Sequence, residues 1–215
     1  MASTASPYGF RAVNELGGLP YAGSTRSFLI NPAGYNTNIF NGSLVYVAAS
    51  GYLQIVTSTG ADATTNAFPT GSGGGALATG AIGVFVGCTY TNAQGQIIYS
   101  QYYPANTASV QGSSITAYVI DDDRAVFQVQ ADNTMAQATL GTNVFLAAAQ
   151  STSTGSTTTG NSTTAVSASS TAATAAFRVV GFANVPGFST VGDAYTDILV
   201  KFNPDYHSYT TALGL

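Results

Sequence analysis

Short runs of β-branched and aromatic residues, separated by glycine, proline and asparagine turns, recur along the whole chain. The runs are spaced by roughly ten residues, and none extends into the apolar periodicity of a long helix. Thirteen Tyr and eleven Phe strengthen the preference for strands. The pattern predicts an all-β protein: an antiparallel barrel or sandwich of about nine or ten short strands, with one short helix, long Gly/Ser/Thr loops and extended terminal arms.

Two neighbouring segments give the clearest prediction of paired strands. Residues 115–120 and 125–130 flank a short link, residues 121–124 (Asp-Asp-Asp-Arg), and this arrangement predicts a β-hairpin. Gly83 and Gly87 lie four residues apart in another segment, where glycine permits a bend or the close approach of another backbone. The predicted strands are residues 27–30, 43–47, 52–56, 81–90, 96–103, 115–120, 125–130, 177–182 and 197–202.

The short helix is predicted at residues 132–140. Asp132 or Asn133 would cap its start, and Gly141, which follows it, is the type of residue that commonly ends a helix.

Turns and changes of composition divide the chain into three parts. Two Gly/Ser/Thr-rich stretches, about residues 57–80 and 150–176, are predicted as loop insertions. The second stretch has the composition of a disordered segment but also fits a packed loop. The three parts are an N-terminal arm with the first strand, residues 1–30; a β domain, residues 31–205; and a C-terminal tail, residues 206–215.

Charged side chains are scarce. Five Lys and Arg and nine Asp and Glu make up 7% of the 215 residues, against roughly 25% in an average soluble domain. The scattered cations cannot form the basic stripe that binds nucleic acid or an anionic membrane, so neither is expected as a partner. The first residues lack the basic and apolar regions of a secretory signal, which predicts synthesis in a cytosol. A neutral surface favours a protein that stays packed against neighbouring molecules.

The candidate catalytic and ligand-binding residues are few. His207, the only histidine, lies in a Tyr-rich segment and is interpreted as a surface or interface residue. Gly71–Ala76 has the letters of a dinucleotide-binding motif but does not follow a strand. Asp121–Asp123 are interpreted as a solvated turn that Arg124 partly neutralises, with calcium binding as the alternative. Cys88 is predicted to be a buried, inert thiol. We predict no enzymatic activity and no cofactor, and we assign no metal ligand.

Four stretches of the sequence are distinctive: Ser6–Val13, Gly34–Gly42, Ile82–Tyr90 and Val191–Asp197. They resemble head proteins of tailed bacteriophages that infect aquatic bacteria, in particular the small proteins that decorate, or cement, the capsid. The resemblance covers nearly the whole chain.

The resemblance implies a non-enzymatic virion structural protein that binds the outer surface of the capsid and stabilises the shell. It also implies a homotrimer at or near threefold positions, with the major capsid protein as partner. The protein would be made in the bacterial host cytoplasm and reside on the virion exterior. Two alternatives remain open: another virion part, such as a head fibre, tail or capsid subunit, and a carbohydrate-binding β module.

The terminal segments are expected to make the contacts, because they combine aromatic anchors with cations. Residues 1–30 are expected to become ordered only against the capsid or a sister subunit. Deletion of residues 2–12 is therefore expected to leave the β domain folded and to abolish attachment. The candidate contact residues are Tyr8, Phe10, Arg11, Tyr21, Arg26, Tyr206 and Tyr209.

Overall fold

The computed structural model describes residues 3–60, 80–110, 112–167 and 175–211. Two antiparallel sheets, of five and six strands, pack face to face, and only 3% of the chain is helical. The all-β prediction is confirmed. Of the two architectures that the sequence left open, the described residues form the sandwich and not a closed barrel.

The described residues form eleven β-strands and two single-turn 3₁₀ helices, Gln137–Thr139 and Pro204–Tyr206. The strands are β1 (Arg11–Glu15), β2 (Arg26–Ile30), β3 (Leu44–Val47), β4 (Leu53–Ile55), β5 (Gly83–Thr91), β6 (Ile97–Ser100), β7 (Ile115–Ile120), β8 (Ala125–Gln130), β9 (Asn143–Val144), β10 (Phe177–Phe182) and β11 (Asp197–Phe202).

The five-stranded sheet has the order β1-β8-β11-β10-β9. The six-stranded sheet has the order β2-β7-β5-β3-β4, and its sixth strand, β6, pairs with β5 beside this path. The long strand β5 has β7 on one side and two short strands on the other. Its start pairs with β3 through Val84 and Leu44, and its end pairs with β6 through Thr89 and Tyr99. The outer strands β2 and β4 lie in contact without pairing, so this sheet is strongly curved.

The six-stranded sheet is buried on both faces over much of its area. Val84 and Ile120 face the five-stranded sheet and belong to the main core. Phe85, the next residue of β5, points to the opposite face and belongs to a second core, to which the connecting segments contribute Ile39 and Tyr103. Burial on both faces explains why β5 and β7 carry apolar runs in place of strict alternation with polar residues.

Residues 115–120 and 125–130 form strands as predicted, but the predicted hairpin is wrong. β7 pairs with β2 and β5, whereas β8 pairs with β1 and β11 in the opposite sheet. Residues 121–124 therefore carry the chain from one sheet to the other. Both strands have apolar side chains on both faces, so each is more stable as an interior strand with two neighbours than as half of a local hairpin.

The predicted helix at residues 132–140 is reduced to the 3₁₀ turn Gln137–Thr139. A carbonyl group that such a helix would use is bonded elsewhere, because the Gly192 N–H donates to the carbonyl oxygen of Met135 at 2.9 Å. This tertiary bond outweighs the local capping preference. Gly141 follows the turn with a φ of +83°, a conformation that glycine adopts readily at the end of a helical segment.

The two glycines of β5 lie where another backbone comes close, as predicted. A Cβ at Gly83 would overlap the carbonyl oxygen of Ile120, and a Cβ at Gly87 would lie 3.1 Å from the carbonyl oxygen of Ser100. The register between β5 and β7 shifts between Phe85 and Gly87. These positions allow β5 to bend and to exchange one partner strand for another along its length.

The described part of the Ser/Thr-rich tract packs against the core. Gln150 is 2% exposed and bridges two segments: its Oε1 accepts from the Leu44 N–H at 2.9 Å, and its Nε2 donates to the carbonyl oxygens of Leu44 and Val56. The packed-loop interpretation therefore holds for this part. Residues 168–174 and the glycine run Gly71–Gly75 lie outside the described residues.

Candidate contact surfaces

Two of the seven predicted contact residues, Phe10 and Tyr206, belong to the core of the chain itself. They are 1% and 2% exposed, and the Phe10 ring centroid lies 5.0 Å from that of Phe177 and 6.2 Å from that of Phe127. Strand β1 follows Phe10 directly and pairs with β8. The expectation that this segment becomes ordered only against another subunit is wrong. Deletion of residues 2–12 would remove a core ring and the start of a paired strand.

The prediction that His207 is a surface or interface residue is also wrong. His207 is 1% exposed, and its ring centroid lies 5.2 Å from that of Phe202 and 5.3 Å from that of Tyr209. The adjacent backbone is hydrogen-bonded to the rest of the domain, because the Ala81 N–H donates to the Tyr206 carbonyl at 2.9 Å. Burial lowers the pKa of His207. The described part of the C-terminal segment thus packs as part of the domain.

Tyr8 and Arg11 form a first cluster with Asp197. The Arg11 guanidinium carbon lies 4.4 Å from the centre of the Tyr8 ring, and the Tyr8 hydroxyl donates to Asp197 Oδ1 at 3.1 Å. Burial, reinforced by the negative charge of Asp197, raises the pKa of Tyr8, and burial also raises the pKa of Asp197. The Tyr8 phenol is therefore protonated at neutral pH and anchors the N-terminal segment to the start of β11.

Arg26 and Tyr209 form a second cluster with Asp121. The Arg26 Nε lies 3.0 Å from Asp121 Oδ2, the Tyr209 hydroxyl donates to the same oxygen at 2.7 Å, and Arg26 Nη1 donates to the Tyr209 hydroxyl at 2.7 Å. Burial and the bond to Asp121 raise the pKa of Tyr209 to about 12. The prediction that Arg124 partly neutralises the aspartates is wrong at Asp121, because the ion-pair partner of Asp121 is Arg26. Arg124 Nη2 donates instead to the carbonyl oxygen of Leu16.

The connection between β1 and β2 carries exposed apolar side chains and is bonded to the link that contains Asp121. Leu16 is 43% exposed and Leu19 is 64% exposed, and the Leu16 N–H donates to the Arg124 carbonyl at 2.8 Å. Tyr21 packs partly against the main core, and burial raises its pKa, with further contributions from Asp122 and Asp121. We call this region the Leu19 surface. It comprises Leu16, Leu19, Tyr21, Arg26 and Tyr209.

The two clusters lie at opposite ends of β8. Asp197 is the register partner of Gln130, the last residue of β8, whereas Ala125, its first residue, follows the link that contains Asp121. Of the predicted contact residues, Tyr21, Arg26 and Tyr209 share the Leu19 surface. Tyr8 and Arg11 lie at the other end of the strand.

The sequence did not identify the most exposed apolar side chains as candidate contact residues. Phe188 is 79% exposed, Tyr99 is 77% exposed and Ile97 is 64% exposed. A signal was present for two of them, because Ile97 and Tyr99 alternate with Ile98 in a predicted strand and so share a face. No comparable pattern marks Phe188, which lies in the connection between β10 and β11.

Comparisons of the chain with protein-family models, with curated proteins and with solved structures find no match. In the part of the chain that the structure describes, no helix has the length and apolar character needed to span a membrane.

Proposed function

We propose that this protein is a non-enzymatic structural component of a tailed-phage head, which binds the outer capsid surface as a homotrimer and stabilises the shell. The resemblance of four sequence stretches to capsid decoration proteins motivates the proposal. The observation that carries it is the Leu19 surface, where exposed Leu16 and Leu19 belong to a connection bonded to Arg124, in the same link as the Asp121 that holds Arg26 and Tyr209.

The Leu19 surface has the composition of a protein-binding site. Tyrosine and arginine are enriched at protein interfaces, and the exposed leucines of the same connection add apolar area. The pairing of Arg26 and Tyr209 with Asp121 fixes both side chains before binding, so less conformational entropy is lost on association.

In one trimer, three copies of this surface would bind the shell at the same time. Linking binding sites raises the overall affinity by about 10²–10⁴-fold without new contacts, provided that all sites engage at once. A moderate contact per subunit is then enough for lasting attachment. The low charge of the chain, 7% of residues, means that little long-range repulsion opposes such close packing.

The test is co-sedimentation of the purified protein with empty heads of the phage that encodes it. Leu16→Ser combined with Leu19→Ser is expected to reduce attachment at least tenfold while leaving the fold intact, because both side chains are exposed. The matched control is Val185→Ser combined with Phe188→Ser, which changes two apolar residues of at least similar exposure elsewhere and is expected to retain attachment. Equal binding by all three proteins, or no binding by the unaltered protein, would contradict the proposal.

A further inference from the structure

Strand β6 has one side without a backbone partner among the described residues. It pairs with β5, and just beyond the end of β5 the Asn92 N–H donates to the Gln96 carbonyl at 2.9 Å. Successive residues of an antiparallel strand direct their backbone groups to alternate sides, so Gln96 and Ile98 bond towards β5 whereas Ile97 and Tyr99 point away from it. In the part of the chain that the structure describes, no other backbone group bonds to Ile97 or Tyr99.

The other edge strands of the described fold are protected. β1 begins with Arg11 and ends with Glu15, and its register shifts against β8. β9 has only two residues, and β2 and β4 lie against each other. Charges and bulges are the usual means of keeping an edge from pairing with another chain. β6 contains no charged residue and no proline, and it pairs with β5 without a shift in register.

The exposed side chains of β6 add apolar area to this edge. Ile97 is 64% exposed and Tyr99 is 77% exposed. Their register partners in β5 are Thr91 and Thr89, so both side chains lie on one face of the sheet, and Ile98 between them points to the other face. The edge therefore offers unpaired backbone groups and an apolar surface at the same place.

The charge distribution favours a second copy of the chain as the partner. Residues 63–120 contain no Asp, Glu, Lys or Arg, and β6 lies within this stretch. Two copies that meet through one surface bring identical charges together, and a surface without charges avoids that repulsion. A charged partner strand would find no ion pair within β6 itself.

The edge is complementary to itself in backbone and side chains. A twofold axis at Ile98 places Ile97 of one copy opposite Tyr99 of the other, and the reverse. Each of these two pairs exchanges both of its N–H···O=C bonds, so every outward backbone group of Ile97 and Tyr99 gains a partner. The side chains of each pair then lie side by side, and aromatic and β-branched residues in directly opposite positions stabilise a sheet.

We propose that β6 pairs with β6 of a second copy, antiparallel about a twofold axis at Ile98, so that the six-stranded sheet continues from one copy into the other. The contact uses the same surface on both copies, as a twofold interface requires. It has only four residues on each side, so the association is weak and depends on concentration. The inference does not rest on the proposed capsid role, because β6 shares no residue with the Leu19 surface.

Charge substitutions test the contact, with mass measured by light scattering over a range of concentrations and folding checked by circular dichroism. The mass of the unaltered protein should rise to at least twice that of Ile97→Lys or Tyr99→Glu, because a charged residue blocks an edge. Ile97→Lys combined with Tyr99→Glu should restore the association, since each lysine lies opposite a glutamate of the other copy. Ile97→Lys combined with Tyr99→Lys should not restore it, and Phe188→Lys, at a residue 79% exposed elsewhere, should retain it.

Two results of this experiment would overturn the inference. One is an equal mass, at every concentration, for the unaltered protein and the two single variants of β6. The other is an equal mass for the two double variants.

Disulfide formation in glutathione buffer tests the position of the axis. The two copies of residue 98 would lie opposite each other with Cα atoms about 4.5 Å apart, within the reach of a disulfide. The two copies of residue 97, or of residue 99, would lie about 7–8 Å apart, which a disulfide does not span. Ile98→Cys should therefore form linked dimers, whereas Ile97→Cys and Tyr99→Cys should not, although they are more exposed. Linkage in the reverse order would overturn the inference.

The unaltered protein is the control for the native thiol. Cys88 is 2% exposed, and burial raises its pKa to about 12, so it should not form linked dimers.

Co-sedimentation with empty heads separates this inference from the proposed function. Tyr99→Glu should attach to heads, and Leu16→Ser combined with Leu19→Ser should still self-associate. Absence of attachment by the unaltered protein would contradict the capsid role and leave the β6 contact standing. Attachment together with a mass that does not respond to the β6 substitutions would overturn the β6 contact alone.

Discussion

Tyr8 and Phe10 stand two residues apart in a segment that the sequence predicts to be a contact arm, but they have different environments. The Phe10 ring fills the core beside Phe177, whereas Tyr8 lies nearer the surface, where it stacks on Arg11 and binds Asp197. In a regular extended segment residues two positions apart point to the same side, but Gly9 between them has a φ of +76°, which interrupts the extended backbone and directs the two side chains differently. An aromatic residue near a terminus is thus as readily a core residue as an interface anchor.

Phe10→Ala should lower the free energy of unfolding by about 3–5 kcal/mol, because it removes a fully buried ring and leaves a cavity. Phe188→Ala is the matched control. Its ring is 79% exposed, so the free energy of unfolding should change by no more than about 0.5 kcal/mol. Urea denaturation measures both. Similar losses for the two variants would show that Phe10 is not a core residue.

His207 should make the stability depend on pH below about 6.5. Burial lowers its pKa from the ordinary value of 6.5, although the nearby Asp121, Asp122 and Asp123 act in the opposite direction. The folded state therefore binds fewer protons than the unfolded state, so this contribution is fully present above pH 6.5 and is lost as the pH falls below it. The raised pKa of Asp197 acts with the opposite sign, at the lower pH where carboxyl groups titrate.

The measurement is the free energy of unfolding between about pH 5 and pH 7. It should fall with decreasing pH in the wild-type protein and change less in His207→Gln. Parallel curves for the two proteins would contradict the role assigned to His207.

Local sequence patterns predict several strands well. They do not predict strands or strand partners that depend on contacts between distant parts of the chain. β7, β8, β10 and β11 have the predicted boundaries because their β-branched and aromatic runs end at clear turn residues. β1 was missed because Arg-Ala-Val-Asn-Glu carries no such signal and is a strand only through its pairing with β8. The partners of β7 and β8 were mispredicted because a four-residue link fits a hairpin and a crossing between sheets equally well.

The same limit applies to the contact residues. Tyr209 and Arg26 were identified from composition alone, but their common partner Asp121 is 88 residues from Tyr209 in the sequence. Only the folded chain brings these three residues together.

Substitution of Gly83 tests how closely β5 and β7 approach each other. Gly83→Ala should destabilise the protein by about 3 kcal/mol or more, because the added methyl group would overlap the Ile120 carbonyl and force β5 and β7 apart. Gly95→Ala is the control. It has a φ of +80° and open space around it, so only backbone strain of about 1–2 kcal/mol is expected. Thermal unfolding of both variants measures the difference, and a smaller loss for Gly83→Ala than for Gly95→Ala would contradict this packing.

The molecule as a whole combines a two-sheet sandwich with a low content of charged residues. The Leu19 surface would bind the shell.

A cryo-EM map of empty heads reconstituted with the purified protein is the decisive measurement of attachment to the shell. We expect threefold-symmetric density on the outer surface, with Leu16 and Leu19 facing the shell. Bare heads at saturating protein concentration, together with a monomeric mass in solution, would rule out the proposed capsid role.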